Sequence, residues 1–307
     1  RDPDYAGVYG AGFLGKYRHH SGSKPPRVHM ASLSPGQLTP IGDHAWRVLA
    51  RNPGMMTGPG TNRYLFGRDS LTVIDPGPED QEHLQALVQA ARTLDKPITQ
   101  VIVTHTHRDH SPGALALVAA TGARCLGPSV PDDGLQDESW NADRLLGEGD
   151  TVDCGGVSLT AIETPGHVGN HLCYLSEQGL LFTGDHLIQG STVVIAPPSG
   201  SMQAYFASLR KLQNRGITLM APGHGDVISH PEDTLSQTLA HRQKREDKVV
   251  GCLTATAQPL ATLVTAVYDD VPVFLHGVAQ LSLSAHLMKL AAEGKASETA
   301  SGWALQS

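Results

Sequence analysis

The segment 104–110 constrains this chain more than any other part of its sequence, because four of its seven side chains can bind a metal. These four belong to His105, His107, Asp109 and His110. Three imidazoles and a carboxylate on so short a loop favour a bound cation, since the protonated rings would otherwise repel one another. The spacing of the first two histidines lets an extended segment aim both at one ion. The last two residues lie past a turn and can reach a second ion.

Three further possible ligands each follow a small or turn-forming residue at the end of a predicted strand. His167 follows Thr-Pro-Gly, Asp185 follows Phe-Thr-Gly, and His224 follows Ala-Pro-Gly. Loops at strand ends present catalytic residues on a rigid scaffold, so we expect these side chains to join the 104–110 cluster. All the donors are nitrogen or oxygen and none is a thiolate, which suits zinc and also manganese or iron.

This ligand set predicts a binuclear metal-dependent hydrolase. Two ions roughly 3.5–4 Å apart share a water, lower its pKa and polarise the group that is attacked. A metal-bridging hydroxide would then attack a carbonyl or phosphoryl centre. Asp109 is the predicted catalytic residue, because its carboxylate can accept a proton from that hydroxide or orient it. Two zinc ions per chain are the expected cofactor.

Composition places the chain among globular proteins and excludes several other classes. Of 307 residues, 40% are apolar and 17% are charged, which is enough apolar material for a sizeable core. The longest apolar run is far shorter than a membrane span, so no membrane partner is expected. The net charge of -7 argues against a protein that coats nucleic acid. The chain has four cysteines and no C-x-x-C pair, which predicts free thiols in a reducing compartment and a cytoplasmic protein.

Strand and helix periodicities alternate through the middle of the chain. Strands are predicted at 62–66, 71–74, 98–103, 157–163, 171–175, 180–182 and 217–220. Helices are predicted at 79–94, 113–120 and 202–213. Strand-rich segments separated by helices indicate an α+β protein in which helices cover layers of sheet.

The two ends of the chain differ from this middle part. Residues 1–29 are expected to be a vector-derived or flexible arm, because they end just before Met30 in the His-Met pair typical of a cloning junction. Residues 30–229 form the predicted catalytic domain. Residues 230–307 are expected to fold as helices followed by a hairpin, the order of a winged-helix domain. Such domains often bind DNA, but the weak basic charge leaves packing or homodimer formation as an equal alternative.

An H-x-H-x-D-H cluster followed by isolated His, Asp and His residues at glycine-rich strand ends resembles the metallo-β-lactamase superfamily. The resemblance implies a four-layer αββα sandwich with two metals at one edge. It assigns the first metal to His105, His107 and His167, the second to Asp109, His110 and His224, and the bridging position to Asp185. It further implies that Asp75, in the strand-end acidic motif of the family, orients a ligand without binding metal.

Finer detail is similar to the lactamase-beta-2-like branch of that family, namely the segments 57–62 and 184–192 and the C-terminal domain. Animal members of that branch are endoribonucleases, so the resemblance implies single-stranded RNA as the substrate. Esters, thioesters, lactones and β-lactams are alternatives. Against β-lactams, Asp185 stands where true metallo-β-lactamases typically carry Cys or Ser. A metal-dependent nucleic-acid-binding protein is the alternative from another class.

Other residues are candidates for supporting roles. His171 follows His167 by four residues and His186 directly follows Asp185, so both are candidates for orienting a ligand or contacting substrate. Four basic residues of the predicted helix at 232–248 could contact a phosphate backbone, with a solvated helix face as the alternative. These are Arg242, Lys244, Arg245 and Lys248.

Overall fold

The computed structural model describes residues 34–306, which form two β-sheets, six α-helices and a C-terminal hairpin. The predicted arm at residues 1–29 lies outside the described residues. Within the described part of the chain, no helix is both long and apolar enough to cross a membrane.

The first sheet has seven strands arranged in the order of the chain. They are β1 (Leu38–Gly42), β2 (Ala45–Leu49), β3 (Asn62–Phe66), β4 (Leu71–Ile74), β5 (Ile98–Ile102), β6 (Arg124–Gly127) and β7 (Arg144–Leu145). β1 to β4 pair antiparallel as successive hairpins. β4 to β7 pair parallel, and the helices α1 (Gln81–Thr93) and α2 (Gly113–Thr121) return the chain after β4 and β5.

The second sheet has five strands in the order β12-β11-β10-β9-β8. They are β8 (Thr151–Asp153), β9 (Ser158–Glu163), β10 (Leu172–Ser176), β11 (Leu180–Gly184) and β12 (Leu219–Pro222). β8 to β11 are antiparallel neighbours. β11 and β12 pair parallel, because α3 (Met202–Leu212) carries the chain back between them.

Apolar residues on both faces of the sheets produce four layers. Between the sheets, the Phe182 ring of β11 lies 5.2 Å from the Tyr64 ring and 5.6 Å from the Phe66 ring of β3, measured between centroids. α1 and α2 cover the outer face of the first sheet through Leu87 and Leu117. α3 covers the outer face of the second sheet. The αββα sandwich expected from the sequence is confirmed.

The C-terminal part has an apolar core of its own. It consists of α4 (Pro231–Cys252), α5 (Leu260–Val267), a 3-10 turn (Val273–Leu275), α6 (His276–Ala292) and the hairpin β13 (Ala296–Thr299) and β14 (Gly302–Leu305). Val249, Leu263, Leu287 and Trp303 are buried together there. The predicted order of helices and hairpin is confirmed. α4 and α6 also pack against the second sheet and α3, so this part is joined to the sandwich.

The sequence predicted no strand before residue 62, yet β1 and β2 form one edge of the first sheet. β2 contains Arg47, a charged residue that is buried in the structure. Its guanidinium lies 2.8 Å from the carboxylate of Asp226, which is distant in sequence. A buried charge needs such a partner, and local periodicity does not show one.

Candidate metal centre

The candidate ligands lie where strands of both sheets end at one edge of the sandwich. The segment 104–110 follows β5, His167 follows β9, Asp185 follows β11 and His224 follows β12. The predicted cluster at 104–110 and the three isolated residues therefore meet, although they are spread over more than a hundred residues of sequence.

Hydrogen bonds between the sheets fix this edge. The Tyr64 hydroxyl of β3 donates to the carbonyl of Pro222 at 2.7 Å, and the Tyr174 hydroxyl of β10 donates to the carbonyl of Val103 at 2.6 Å. Both acceptors lie directly at the ends of strands that carry ligands. Because these bonds are buried, the loops on the two sheets are held in a defined relative position.

His105, His107 and His167 form a group that we call the first cluster. His107 Nδ1 lies 2.9 Å from His105 Nε2 and 3.0 Å from His167 Nε2. Burial, followed by repulsion from the His167 ring, lowers the pKa of His107 to about 4. Burial lowers the pKa of the other two rings as well. Near neutral pH the three rings are uncharged, and three ring nitrogens face a single point.

Asp109, His110 and His224 form the second cluster. Asp109 Oδ2 lies 3.4 Å from Nε2 of each histidine. Burial lowers the pKa of His224, but the negative charges of the Asp185 and Asp109 carboxylates outweigh burial and raise it to about 9. This cluster thus combines imidazoles with negative charge, whereas the first cluster has imidazoles only.

Asp185 lies between the two clusters. Its Oδ1 is 3.3 Å from His224 Nε2 and 3.5 Å from His110 Nε2, and its Oδ2 is 3.7 Å from His167 Nε2. Oδ1 of Asp185 and Nε2 of His110 are buried, and neither has a hydrogen-bond partner among the described residues. Buried polar atoms are rarely left unpaired. Converging donors with unpaired buried atoms fit bound metal cations, and the nitrogen and oxygen donor set suits zinc, manganese or iron.

Asp75 supports the second cluster through a hydrogen bond with His110. Its Oδ2 lies 2.9 Å from His110 Nδ1, so the carboxylate accepts the Nδ1 proton and Nε2 faces the cluster. The backbone N–H and the hydroxyl of Thr104 donate to the same carboxylate at 2.6 and 2.8 Å. Carboxylates commonly hold ligating imidazoles in this way. The structure therefore puts Asp75 in contact with a candidate ligand and not among the converging donors.

The two additional histidines have different surroundings. His171 accepts a hydrogen bond on Nε2 from the backbone N–H of Asp185 at 3.2 Å, and its ring stacks on His105. His186 is fully buried, with its ring centroid 5.0 Å from that of Tyr205. Burial of this ring favours a supporting role for His186 over contact with a substrate, and the call stays a prediction. His171 remains a candidate for holding the Asp185 loop.

The predicted basic face of α4 is also corrected by the structure. Arg242 and Arg245 are only 3% and 8% exposed. Arg242 donates to the carbonyl of Val193, and Arg245 forms an ion pair with Asp270 at 2.8 Å. Lys248 forms an ion pair with Asp269. These three side chains bind the protein itself, and of the four predicted basic residues only Lys244 is exposed. The four therefore form neither a continuous phosphate-binding track nor a fully solvated helix face.

Sequence reasoning missed two residues at the start of β3. The Thr61 hydroxyl donates to Asp109 Oδ2 at 3.1 Å. Arg63 is fully buried, and its guanidinium donates to the backbone carbonyl of Asp109. The available signal was a charged residue inside a predicted strand, because a buried arginine needs an acceptor.

The fold and these converging donors define the class: an αββα sandwich with a His/Asp metal-binding site at one edge. The chain belongs to the metallo-beta-lactamase superfamily, and the sequence profile of that family matches residues 56–224. A second profile, the beta-lactamase associated winged helix domain, matches residues 260–303.

Several relatives carry the names of enzymes. Thioesterase pkgB of Emericella nidulans is 32% identical, over 67% of this chain and 58% of that protein. An atrochrysone carboxyl ACP thioesterase of Aspergillus fumigatus is 31% identical, over 66% of this chain and 63% of that protein. A beta-lactamase-like protein 2 homolog of Caenorhabditis elegans is 29% identical, over 83% of this chain and 86% of that protein. This chain thus spans less than two thirds of the length of the two thioesterases.

Solved structures support the fold. A beta-lactamase domain protein from Burkholderia ambifaria superimposes with a TM-score of 0.74 at 19% sequence identity, covering 90% of this chain and 96% of that one. The likeness extends over nearly the whole of the described chain, C-terminal part included.

Proposed function

We propose that this chain hydrolyses small carbonyl esters in a metal-dependent reaction, with thioesters as the favoured class of substrate. The observation that carries the proposal is the convergence of seven nitrogen and oxygen donors on one edge of the sandwich. The choice of thioesters is supported by the two relatives named as thioesterases, of which this chain spans only part.

We assign one zinc ion to the first cluster and one to the second cluster, with Asp185 between them. When bound, the two ions supply Lewis acidity toward the carbonyl oxygen and acidify water. Asp109 is the proposed catalytic residue. Its Oδ2 faces Thr61 and the two histidines of the second cluster, which leaves Oδ1 as the atom that accepts or holds a proton of the attacking water.

The loops beside the metal centre suit an apolar acyl group. Met55 and Met56 are 59% and 56% exposed on the loop that reaches Asp109 through Thr61. Leu135 is 54% exposed on a second loop, whose Asp137 N–H donates to a carbonyl inside the segment 104–110 at 2.7 Å. Large apolar side chains exposed beside a site are typical of a surface that binds an apolar ligand.

We do not favour RNA or the alternative of a nucleic-acid-binding protein. The basic side chains predicted to contact phosphates include two buried arginines and a lysine paired with an aspartate. A hydrolase of small carbonyl compounds needs no such surface. Slow attack on a β-lactam is compatible with the same chemistry, because a strained amide is also a carbonyl electrophile.

The compartment and the assembly stay predictions. Cys125, Cys154 and Cys173 are buried free thiols, and Cys252 is a free thiol that is partly exposed. Free thiols suit a reducing compartment, so a cytoplasmic location remains our prediction. A homodimer through the C-terminal helices also remains a prediction, which sedimentation of the purified chain would test.

The test compares the zinc-loaded wild type with Asp109→Asn on four substrates. These are acyl-N-acetylcysteamine thioesters of increasing chain length, p-nitrophenyl acetate, a labelled single-stranded RNA and a chromogenic β-lactam. We expect thioester turnover in the wild type and a loss of about 100-fold or more in the variant, because general acid–base groups contribute about 10²–10⁴-fold.

Asp153→Asn is the matched control, since Asp153 caps the exposed turn between β8 and β9. It makes the same chemical change away from the ligands and should keep wild-type turnover. RNA cleavage that Asp109→Asn abolishes, without thioester turnover, would overturn the choice of substrate. Equal thioester turnover in the wild type and Asp109→Asn would overturn the assignment of Asp109.

A further inference from the structure

The three residues 193–195 connect the C-terminal helices to a candidate metal ligand. They lie in the long segment between β11 and α3, which contains no helix or strand. Among the described residues, these three form no hydrogen bond from main chain to main chain. The hydrogen bonds of these residues are instead made with side chains of other segments of the chain.

The middle residue holds His167. The ring nitrogen Nδ1 of His167 lies 2.7 Å from the carbonyl oxygen of Val194. A carbonyl can only accept, so Nδ1 carries the proton and Nε2 presents its lone pair to the first cluster. The second ring nitrogen of a ligating histidine is usually fixed by an acceptor of this kind.

The flanking residues are held by the C-terminal helices. Arg242 of α4 donates to the carbonyl of Val193, and its guanidinium lies 5.3 Å from the centroid of the Tyr205 ring. Ser282 of α6 accepts from the backbone N–H of Ile195 at 3.3 Å. Both side chains are buried, at 3% and 7% exposure. The carbonyl that orients His167 thus lies between two anchors from a different part of the fold.

We infer that Arg242 and Ser282 are positioning residues for the first metal, and that the C-terminal helices act on the site through residues 193–195. The inference rests on the metal centre of the proposed function, but not on the choice of substrate. It gives the C-terminal part a role that needs neither DNA nor a dimer. Removal of either anchor should weaken the first metal site and leave the second largely unchanged.

The experiment measures zinc affinity of the full chain by competition with a chromophoric chelator. We expect Arg242→Met to lower the affinity for one of two zinc ions about 10–100-fold, the usual effect of losing a group that supports a ligand. Ser282→Ala should weaken the same ion about fivefold, as expected for loss of one hydrogen bond. Arg242→Lys should restore part of the affinity, because lysine keeps a charged donor on a long side chain.

Arg245→Met is the matched control. Arg245 is also a buried arginine of α4, but it donates to Val267 and Asp270 inside the C-terminal part. Its loss should lower the melting temperature measured in excess chelator and leave both zinc affinities within about twofold of wild type. The two arginine variants therefore separate lost stability from a displaced ligand.

Equal zinc affinities in Arg242→Met, Arg245→Met and the wild type would overturn the inference, as would equal losses in both variants. If Arg242→Met does not fold, Ser282→Ala and Arg242→Lys decide by the same measurement. A wild type that binds two zinc ions but turns over no thioester would overturn the proposed substrate and leave this inference intact. A wild type that takes up no zinc would overturn both.

Discussion

The two clusters of the metal centre use similar ligands but receive their support from different parts of the chain. In the second cluster, His110 is held by Asp75, which follows the neighbouring parallel strand of the same sheet. In the first cluster, His167 is held by Val194, whose neighbours are anchored by Arg242 and Ser282 of the C-terminal helices.

This difference teaches that the site is only partly a property of the sandwich. The support of the second cluster belongs to adjacent strands that must pair for the sheet to exist. In the first cluster, His105 is held within the sandwich by Thr104, whereas the support of His167 involves a separate helical part with its own core. A substitution that disturbs the contacts of this helical part with residues 193–195 should therefore weaken metal binding at the first cluster more than at the second.

The largest effect should come from Asp185→Asn, because Asp185 is shared by both clusters. We expect zinc uptake at both positions to weaken and thioester turnover to fall by about 100-fold or more, since a direct ligand matters at least as much as a supporting group. Zinc content after dialysis and turnover check this expectation. Asp153→Asn again serves as the control. Loss of only one zinc ion would show that Asp185 does not connect the clusters.

Asp75→Asn should give a smaller effect that falls mainly on the second cluster, since the ring that Asp75 contacts directly is that of His110. An amide nitrogen in place of Oδ2 would face the Nδ1 proton of His110, so two donors would oppose each other. We expect one zinc affinity to fall about 10–100-fold, while the other falls less, because Asp75 reaches His105 of the first cluster only through the Thr104 hydroxyl. The double variant Asp75→Asn, Arg242→Met should weaken both ions. If the two single variants weaken the same ion more strongly, the proposed division of support is incorrect.

Glu246→Gln should affect stability alone and gives the smallest change. Glu246 of α4 pairs with Lys289 at 2.6 Å and His286 at 3.1 Å, both on α6. Burial raises the pKa of Glu246, but the hydrogen bonds from His286 and Lys289 outweigh it and bring the pKa below its usual value. The ionised carboxylate therefore stabilises the fold above the unfolded pKa of about 4.3, and this stabilisation is lost as pH falls through the folded pKa.

Thermal unfolding followed by circular dichroism at several pH values measures this effect. Near neutral pH the variant should melt a few degrees below the wild type. The difference should shrink as the pH drops below about 4, where the wild-type carboxylate takes up its proton. A difference that is the same at every pH would mean that packing, and not charge, joins α4 to α6 through this residue.

Most of the regular elements that surround the site follow from local pattern. The helix predicted at 79–94 is observed as Gln81–Thr93, because the Asp80 side chain accepts from the backbone N–H of His83 and caps the first turn. The strand before the metal-binding segment is observed as Ile98–Ile102. β1 and β2 were missed, since the buried Arg47 in β2 has its partner only in the folded chain.

Within the site, the sequence by itself determined which side chains can bind metal and in what order they follow the strand ends. Residue type and spacing are local properties, so His105, His107 and His110 could be proposed as ligands without coordinates. The tertiary structure decided what holds these ligands. The contact of Arg242 with Val193, the Val194 acceptor for His167 and the burial of His186 all join segments far apart in the chain. Such contacts depend on how whole layers pack, and no periodicity in the sequence specifies them.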